Sequence, residues 1–485
     1  MPMDHGRRRM NHTSGTNSKS LARCAPLVHT GLLTVVVVAG CRGRPLPGEL
    51  KSRHALETVR ERYRPGASTL NLPALTAGAS LHDYLLFAML NNPSVEAAYY
   101  NWAASVEEIT TARSLPDPRL TFEADVADSV MALMPGLMMD FPGPGKLKAS
   151  GQVAAAQSIG SYFAFEQEVL RTANSVKTAY FQLGFLQNRL AIQREALALL
   201  DDLEVLARQQ NAAGKVTLQD VLRAQIERER LHTDIENLED SRSTLIAQLK
   251  AALGLVPAAP DPPMPTTFEA SDAPPDGDAI WRAAVQRNPA LQQMRAEVAQ
   301  AEAMIELARR SGVPDFSLGL EADIKASPTM FRPSAGVTLP IWRDKIEAEI
   351  AAAQARKVAA DARLTSGQIS LATDLAAMLY MYRESNRNIE LLHERLLPKA
   401  GQSLEAARSG YVSGRADFLD VIDAQRALLD FELSLIEART QRELALSALS
   451  LLIAGQPPEG APVLRNTDEP SEGAASTPSR SGRSS

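Results

Sequence analysis

The sequence predicts a mainly α-helical chain with a small β part, in which one unit of helix, β-hairpin and long helical hairpin occurs twice. Three observations predict this fold. Short motifs recur in the same order at a spacing of 196 to 200 residues. No proline interrupts the stretch between Pro144 and Pro257, which is rich in good helix formers. Short segments ahead of the long helices alternate between apolar and polar residues, as β-strands do.

The composition excludes several classes of protein. The chain has 485 residues, 45% hydrophobic and 22% charged, so it is long enough for several domains and is not disordered throughout. Its net charge of −6 argues against nucleic acid as a partner. Its 2 cysteines cannot form a disulfide framework or a thiolate metal cluster. No apolar run after residue 41 reaches the about 18 residues of a spanning helix, which excludes a helical membrane transporter.

Residues 1–40 are predicted to be an export signal. Basic residues precede an apolar stretch that ends Val38-Ala39-Gly40-Cys41. A cysteine after small residues resembles the bacterial lipoprotein signal, so Cys41 is the predicted lipid attachment site. An ordinary signal peptide with a chance cysteine is the alternative. Lipoproteins that stay in the inner membrane are expected to have an acidic residue directly after the lipidated cysteine. This chain has Arg42 at that position, which favours the outer membrane.

Five pairs of motifs define the duplication. They are Asn92-Pro93 with Asn288-Pro289, Phe122–Asp125 with Leu320–Asp323, Phe141-Pro142 with Leu339-Pro340, Ala154–Gln157 with Ala351–Gln354, and Asp220–Leu222 with Asp420–Ile422. The predicted divisions are a lipidated N-terminal flank or equatorial segment (41–79), repeat 1 (80–255), a proline-rich linker (256–276), repeat 2 (277–455) and a disordered tail (456–485).

Each repeat is predicted to contain two strands and two long helices. In repeat 1 the predicted strands cover about residues 118–130 and 136–142, and the predicted helices about residues 145–213 and 217–252. In repeat 2 the predicted strands cover about residues 315–326 and 331–341, and the predicted helices about residues 343–412 and 417–453. One helix over residues 146–212 would span about 100 Å, enough to cross a periplasm.

The predicted strands have the pattern of a membrane β-barrel. Apolar residues alternate with polar ones from Leu120 to Val126 and from Phe316 to Ala326, which places apolar side chains on one face. Turns are expected near Pro135-Gly136 and near Pro328.

Four strands cannot close a barrel, because lipid tolerates no open sheet edge and the smallest barrels use about eight strands. The chain is therefore expected to pool its strands with copies of itself. Three copies would give twelve strands, while the periodicity alone equally permits a dimer or a tetramer.

The stretch from Leu397 to Gln425, LPKAGQSLEAARSGYVSGRADFLDVIDAQ, resembles the signature of the TolC-like outer-membrane efflux protein family around its second periplasmic hairpin turn. The resemblance covers about residues 80–455, and the cysteine motif suits the family's lipoprotein subgroup. It implies a homotrimer with a twelve-stranded transmembrane β-barrel and a long α-helical barrel. Such a duct serves an inner-membrane pump through a periplasmic adaptor. The run Phe141-Pro-Gly-Pro-Gly-Lys146 resembles the heavy-metal efflux branch.

Asp420 and Asp423 are the candidate residues of a periplasmic gate. At positions i and i+3 of a helix start they share one face, and a trimer would gather them into two rings that favour cations. By resemblance, they match the acidic aperture residues of the family, and Tyr411 matches a tyrosine that helps lock the closed aperture. The family's partner arginine would fall on Ala416, whereas Arg415 stands one position earlier. The alternative is that the two aspartates are acidic residues favoured at a helix N-terminus.

Two glycine turns are predicted to join the long helices in pairs. They are Ala213-Gly214-Lys215-Val216 and Ser413-Gly414-Arg415-Ala416. Glycine permits the left-handed conformation that a tight turn requires. The resemblance implies that these tips contact a periplasmic adaptor, through Gly214, Lys215 and Val216 in one repeat and Gly414, Arg415 and Ala416 in the other. A turn without a partner is the alternative.

No catalytic site, metal site or cofactor is predicted, and the chain is not expected to be an enzyme. The histidines that follow the export signal are widely separated, and the motifs of zinc proteases, nucleophile elbows and phosphate loops do not occur. Four methionines fall within nine residues: Met131, Met134, Met138 and Met139. Their thioethers would suit Cu(I), although apolar filler near a hairpin tip is the alternative.

The predicted function is the outer-membrane channel-tunnel of a tripartite efflux system, which conducts substrates passively from an inner-membrane pump and its periplasmic adaptor. An exit duct for type I secretion is one alternative. A periplasmic structural coiled coil or adaptor is an alternative of a different class, and the four alternating strands argue against it. Metal ions, drugs and secreted polypeptides all remain open as cargo.

Overall fold

The computed structural model describes residues 44–65, 72–76, 78–126, 130–265 and 276–464. The chain divides into two units, Met1–Pro45 and Leu46–Ser485, and every element described below belongs to the second. The predicted export signal and Cys41 lie outside the described residues.

The elements follow one order twice. The first half contains α1 (Pro47–Arg62), α2 (Leu81–Asn91), α3 (Pro93–Arg113), β1 (Arg119–Val126), β2 (Val130–Phe141), α4 (Lys146–Ala212) and α5 (Leu218–Ala252). The second contains α6 (Gly277–Arg287), α7 (Pro289–Arg310), β3 (Asp315–Asp323), β4 (Met330–Thr338), α8 (Arg343–Glu390), α9 (Leu397–Val412) and α10 (Phe418–Ser447). The predicted fold class, mainly helical with a small β part in a duplicated order, is confirmed.

The long helices are the dominant feature of the fold. Helix α4 runs without a break for 67 residues, about 100 Å at 1.5 Å per residue. Its counterpart in the second half is not uniform, because a π-helical turn, Leu391–Leu396, lies between α8 and α9. Pro398 follows this turn, and a proline cannot donate the helical hydrogen bond to the fourth residue before it. A widened turn accommodates that loss. A second π-helical turn, Ala448–Ile453, follows α10.

The repeated Asn-Pro motif forms the same joint in both halves. The side-chain amide of Asn92 donates to the Ala252 carbonyl at 3.0 Å, and that of Asn288 donates to the Leu452 carbonyl at 2.8 Å. Each asparagine therefore ties the start of a short helix to the end of its repeat's last long helix. Both asparagines are buried, so these bonds are shielded from water.

A glycine makes each joint possible. Gly254 has φ +72°, and a side-chain carbon on it would come within 2.6 Å of the Asn92 Cα. Gly455 has φ +64°, and a side-chain carbon there would come within 2.9 Å of the Arg287 carbonyl. Only glycine fits a left-handed helix end with another backbone this close.

The four strands form one antiparallel sheet in the order β1-β2-β3-β4. Its register aligns Leu120 with Leu137, and Leu137 with Leu320, so large apolar side chains share one face. The opposite face aligns Thr121 with Gly136 and Gly136 with Glu321. The apolar face is exposed on the single chain, with Leu120 at 66%. The predicted alternation is thus present, and β1 and β4 are the two open edges. Among the described helices, none is long and apolar enough to cross a membrane.

The turn expected near Pro135-Gly136 is wrong. Both residues lie inside β2, where Pro135 aligns with Phe122 and Gly136 with Thr121. The regular β2–β3 register runs from Gly136 to Phe141, and beyond it the Ile324 amide donates to the Leu133 carbonyl at 3.1 Å. Pro135 therefore lies at an interruption of this ladder, as expected for a residue that has no amide hydrogen to donate.

The tail prediction is also wrong for residues 456–464. Ala461 and Val463 are buried, at 6% and 1% exposure, in the largest apolar cluster of the chain. Aromatic rings dominate that cluster, and Trp102 stacks on Phe165 with ring centroids 5.8 Å apart. The Leu464 amide donates to the Tyr162 hydroxyl at 3.1 Å. The polar composition of the tail as a whole gave no indication that a few of its side chains are buried in this cluster. Residues 465–485 lie outside the described residues.

Helix α1, within the segment treated as an N-terminal flank, is fixed to α3 by a buried carboxylate. Glu49 is 1% exposed, and the Arg113 guanidinium donates to its two oxygens at 2.5 and 3.0 Å. The Thr110 hydroxyl donates to it at 2.8 Å and the Arg53 guanidinium at 3.2 Å. These bonds, above all that from Arg113, hold the pKa of Glu49 at about 2.

We expect Glu49→Gln to lower the stability at pH 7 by roughly 3 kcal/mol, the free energy that this pKa shift represents. Because the folded-state pKa is depressed, the carboxylate stabilises the fold above the unfolded pKa of about 4.5 and loses that effect as pH falls towards 2. The difference between the variant and the wild type should therefore shrink as the solution is acidified. Thermal denaturation followed by circular dichroism measures it.

Glu57→Gln is the matched control, since Glu57 lies on the same helix, is exposed, and only approaches Arg60 at 3.8 Å. Equal destabilisation by the two substitutions would contradict the assignment of the stabilising contact to Glu49.

Candidate functional site

The two long-helix hairpins end in turns of the same geometry. Gly214 and Gly414 have φ values of +70° and +71°. The amide that follows each glycine bonds the carbonyl five residues back, at 2.9 Å for Lys215 and 2.8 Å for Arg415. This is a glycine-terminated helix end, which satisfies carbonyls that the helix leaves unpaired. A side-chain carbon on either glycine would meet nothing within 4 Å, so both turns project into open space.

Each turn is braced differently. In the first, the Asn211 side-chain amide donates to the Val216 carbonyl at 2.9 Å. In the second, Gly410 lies so close to Ala416 that an added side-chain carbon would approach its Cβ to 2.8 Å. The Arg415 guanidinium donates to the Ser413 hydroxyl at 3.0 Å, within its own turn. Arg415 therefore makes a local contact here, and the structure does not join it to Tyr411.

Tyr411 lies in the apolar core behind the second turn. It is 4% exposed, and its ring packs on Phe418 with centroids 5.2 Å apart. Its hydroxyl has no hydrogen-bond partner among the described residues. Burial, with a smaller contribution from the charge of Asp220, raises the pKa of Tyr411 to about 12. The phenol is therefore neutral, and it lies near an aspartate of the first repeat.

The two candidate gate aspartates lie at the start of α10, on the same end of the molecule as the turns. Asp420 is exposed, and its carboxylate accepts a hydrogen bond from the Asp417 amide at 3.1 Å. This is the bond of a capping box, which the sequence analysis did not predict, and it is compatible both with a gate role and with an acidic residue favoured at a helix N-terminus. Asp423 makes no such bond in the described structure. Its side chain is 60% exposed, and its Oδ1 lies 3.5 Å from Nη1 of Arg426.

The structure adds charged residues that the sequence pattern did not single out. Arg426 donates to both carboxylate oxygens of Glu227, at 2.5 and 3.2 Å, and so joins α10 to α5. Glu204, 4% exposed, accepts from the Gln225 side chain at 2.8 Å and from Arg228 at 2.9 Å. Glu204 stands in an apolar stripe of α4, a local sign of a buried carboxylate. No comparable sign in the sequence indicated that Glu227 and Arg426, which are 199 residues apart, would pair with each other.

The three methionines of the cluster whose side chains the structure describes, Met134, Met138 and Met139, do not all lie on one face of the sheet. Strand alternation places Met134 and Met138 on one face of β2 and Met139 on the other. Met134 is 3% exposed, and the side chain of Met131 lies outside the described residues. Among the described histidine, cysteine and acidic residues, no group of three or more could hold a metal ion.

Comparison with known proteins agrees with this architecture. The outer membrane efflux protein family matches residues 87–255 and 281–455, one segment for each repeat. The cobalt-zinc-cadmium resistance protein CzcC of Cupriavidus metallidurans is 24% identical over 365 residues, which cover 72% of this chain and 84% of that protein.

Solved structures share the fold. The outer membrane protein VceC of Vibrio cholerae superposes with a TM-score of 0.66 at 18% identity and covers 78% of this chain and 96% of its own. CusC, described in the context of transmembrane channel formation, has a TM-score of 0.69 at 17% identity, with 81% and 98% covered. The predictions of the family, an efflux role and an outer-membrane location are confirmed. The chain belongs to the outer membrane efflux protein family.

Proposed function

We propose that this chain forms a homotrimeric, lipid-anchored channel-tunnel that receives substrates from an inner-membrane pump through a periplasmic adaptor. The observation that carries the trimer is that the sheet of the described residues has four strands, two open edges and one exposed apolar face. Lipid does not tolerate unpaired edges, and three copies supply the strands of a twelve-stranded barrel. This sheet also disfavours the alternative of a periplasmic coiled coil or adaptor, which needs no lipid-facing strands.

The trimer is tested by native mass spectrometry of the detergent-solubilised protein. We expect about three times the mature chain mass, roughly 150 kDa from a full-length chain of 52.4 kDa. A stable monomer in detergent and in lipid nanodiscs would contradict the proposal, because both sheet edges would then lack partners.

Cys41 is the proposed lipid attachment site, supported by the apolar stretch and small residues before it. Cells fed a radioactive fatty acid should label the wild type and leave Cys41→Ser unlabelled. The variant should still insert as a trimer, because the barrel and not the lipid spans the membrane. Equal labelling of both proteins would rule out this site.

The exposed turns are the proposed adaptor contacts. Lys215 and Arg415 are exposed and flank glycines that point into open space, so a partner could approach both turns end to end. Val216 and Ala416 are half-buried and support the turns from behind. The exit duct of a type I secretion system would use the same surface, and the choice of pump distinguishes the two functions.

Heavy-metal cations are the proposed cargo class. One relative is named a cobalt-zinc-cadmium resistance protein, and Asp420 and Asp423 are exposed carboxylates at the end of the hairpin. Stacked rings of carboxylates at a constriction favour cations and repel anions. In this proposal the neutral, buried Tyr411 holds the second turn by packing on Phe418 rather than by a hydrogen bond of its hydroxyl.

We expect replacement of both Asp420 and Asp423 by Asn to lower the cation-to-anion permeability ratio of trimers in planar bilayers. Asparagine can still accept the hydrogen bond from the Asp417 amide, so the helix start is preserved while the charge is lost. Reversal potentials in a salt gradient measure the ratio, and block by divalent cations should weaken in parallel.

The control pair is Glu239 and Asp240 on α5, away from the hairpin turn. Their replacement by Gln and Asn removes the same charge and should change the ratio much less. An equal change from the control pair would show that Asp420 and Asp423 do not line the narrowest part of the pore.

A further inference from the structure

The two repeats differ in charge at the start of their last long helix. Helices α5 and α10 align at an offset of 200 residues and keep an aspartate and a glutamine in common, Asp220 with Asp420 and Gln225 with Gln425. Three positions between and beside them have diverged: Arg223 to Asp423, Ile226 to Arg426, and Glu227 to Ala427. At two neighbouring positions one repeat thus has a charge that the other lacks: the second has Arg426 where the first has isoleucine, and the first has Glu227 where the second has alanine.

These two additional charges bind each other. Arg426 donates through Nη2 and Nε to the two oxygens of Glu227, at 2.5 and 3.2 Å. Glu227 is 17% exposed at its side chain, so the paired carboxylate is largely shielded from water. Ile226 and Ala427 could not form such a bond, which makes it a product of the divergence between repeats. A guanidinium with two parallel hydrogen bonds is fixed in direction as well as position.

The fixed guanidinium also approaches a candidate gate residue. Its Nη1 lies 3.5 Å from Oδ1 of Asp423. An exposed pair of this kind is weak when the arginine is free to move. Here Glu227 holds the arginine, so its positive charge stays beside Asp423. Asp420 has no cationic side chain within 4 Å among the described residues, and its carboxylate faces the Asp417 amide instead.

The pair lies at the edge of a cavity of about 170 Å³ between α5 and α10. Its lining also includes the charged side chains of Arg230 and Asp234. Arg230 donates to Glu227 at 3.3 Å, while its own side chain is 69% exposed. The Glu227–Arg426 bonds are a direct polar link between the two helices.

We propose that Arg426 is a specificity-determining residue of the periplasmic opening, which offsets the charge of Asp423, and that Glu227 is the positioning residue that holds it there. The inference rests on the proposed gate function of Asp420 and Asp423. In a trimer, three guanidinium groups would lie beside the three Asp423 carboxylates, while each also binds one Glu227, so each group of Glu227, Arg426 and Asp423 carries one net negative charge. The Asp423 ring then contributes less to the cation preference than the Asp420 ring, which has no such neighbour among the described residues.

The test is the reversal potential of purified trimers in a salt gradient across a planar bilayer. Arg426→Gln should shift it towards the cation equilibrium potential, because the charge of Asp423 is no longer offset. In an Asp423→Asn background the same substitution should shift it much less, since the carboxylate that Arg426 offsets is already absent. Native mass spectrometry and circular dichroism verify that each variant is a folded trimer.

Glu227→Gln separates positioning from simple charge when the effect of Arg426→Gln is measured both in the wild type and in the Glu227→Gln background. The loss of the Glu227 charge is then common to both members of the second pair, so only the position of Arg426 differs between the two comparisons. A smaller shift from Arg426→Gln in the Glu227→Gln background supports the positioning role, and an equal or larger shift overturns it. Arg194→Gln is the control arginine, because Arg194 pairs with Glu239 at 2.5 Å elsewhere on the helices and should leave the reversal potential unchanged.

The outcomes distinguish this inference from the proposed gate. If Asp423→Asn and Asp420→Asn both leave the reversal potential unchanged, the gate itself is refuted. If those substitutions lower the cation preference while Arg426→Gln does not raise it, the gate stands and the role of Arg426 is overturned. A larger unit conductance at an unchanged reversal potential would also overturn it, because Arg426 would then act as a mechanical tie between helices.

Discussion

The requirement that backbone groups be paired inside a lipid bilayer governs the rest of this structure. The described part of each chain contributes four strands, and β1 and β4 each leave one side of the ladder open. Unpaired amides and carbonyls are too costly in hydrocarbon for a chain to span it alone. The register of the strands also determines which face can contact lipid, because it places the large apolar side chains on one face and the polar or small ones on the other. The sheet thus has a lipid side and an inner side before any partner is added.

The features that sequence reasoning predicted well are those with a local cause. The alternation from Leu120 to Val126 sets a strand face, and the lack of proline after Pro144 allows α4 to run uninterrupted. The glycines of the two hairpin turns were also visible, because a left-handed helix end needs glycine. Asp420 was recognised, although its capping bond and a gate role lead to the same residue type at a helix start.

The features that escaped depend on contacts between distant parts of the chain. Pro135 suggests a turn, yet it lies inside β2, at an interruption of the ladder between β2 and β3 that only the paired strands reveal. Val463 lies in a polar tail, yet it is buried in an aromatic core built mainly from the first repeat. Glu227 and Arg426 are ordinary helix-surface residues in isolation. Their relation becomes visible only when the repeats are aligned and the helices are brought together.

The π-helical turn at Leu391–Leu396 makes the two hairpins mechanically unequal. Helix α4 is a single rod from Lys146 to Ala212, whereas its counterpart is interrupted by a wide turn with an irregular hydrogen-bond ladder ahead of Pro398. A rod transmits a bend along its whole length, but an interrupted helix concentrates curvature at the break. The turn lies between the sheet and the part of the second hairpin that contains Tyr411, ahead of the acidic start of α10. The curvature of the second hairpin is thus concentrated on the way to the candidate gate, whereas α4 has no such break.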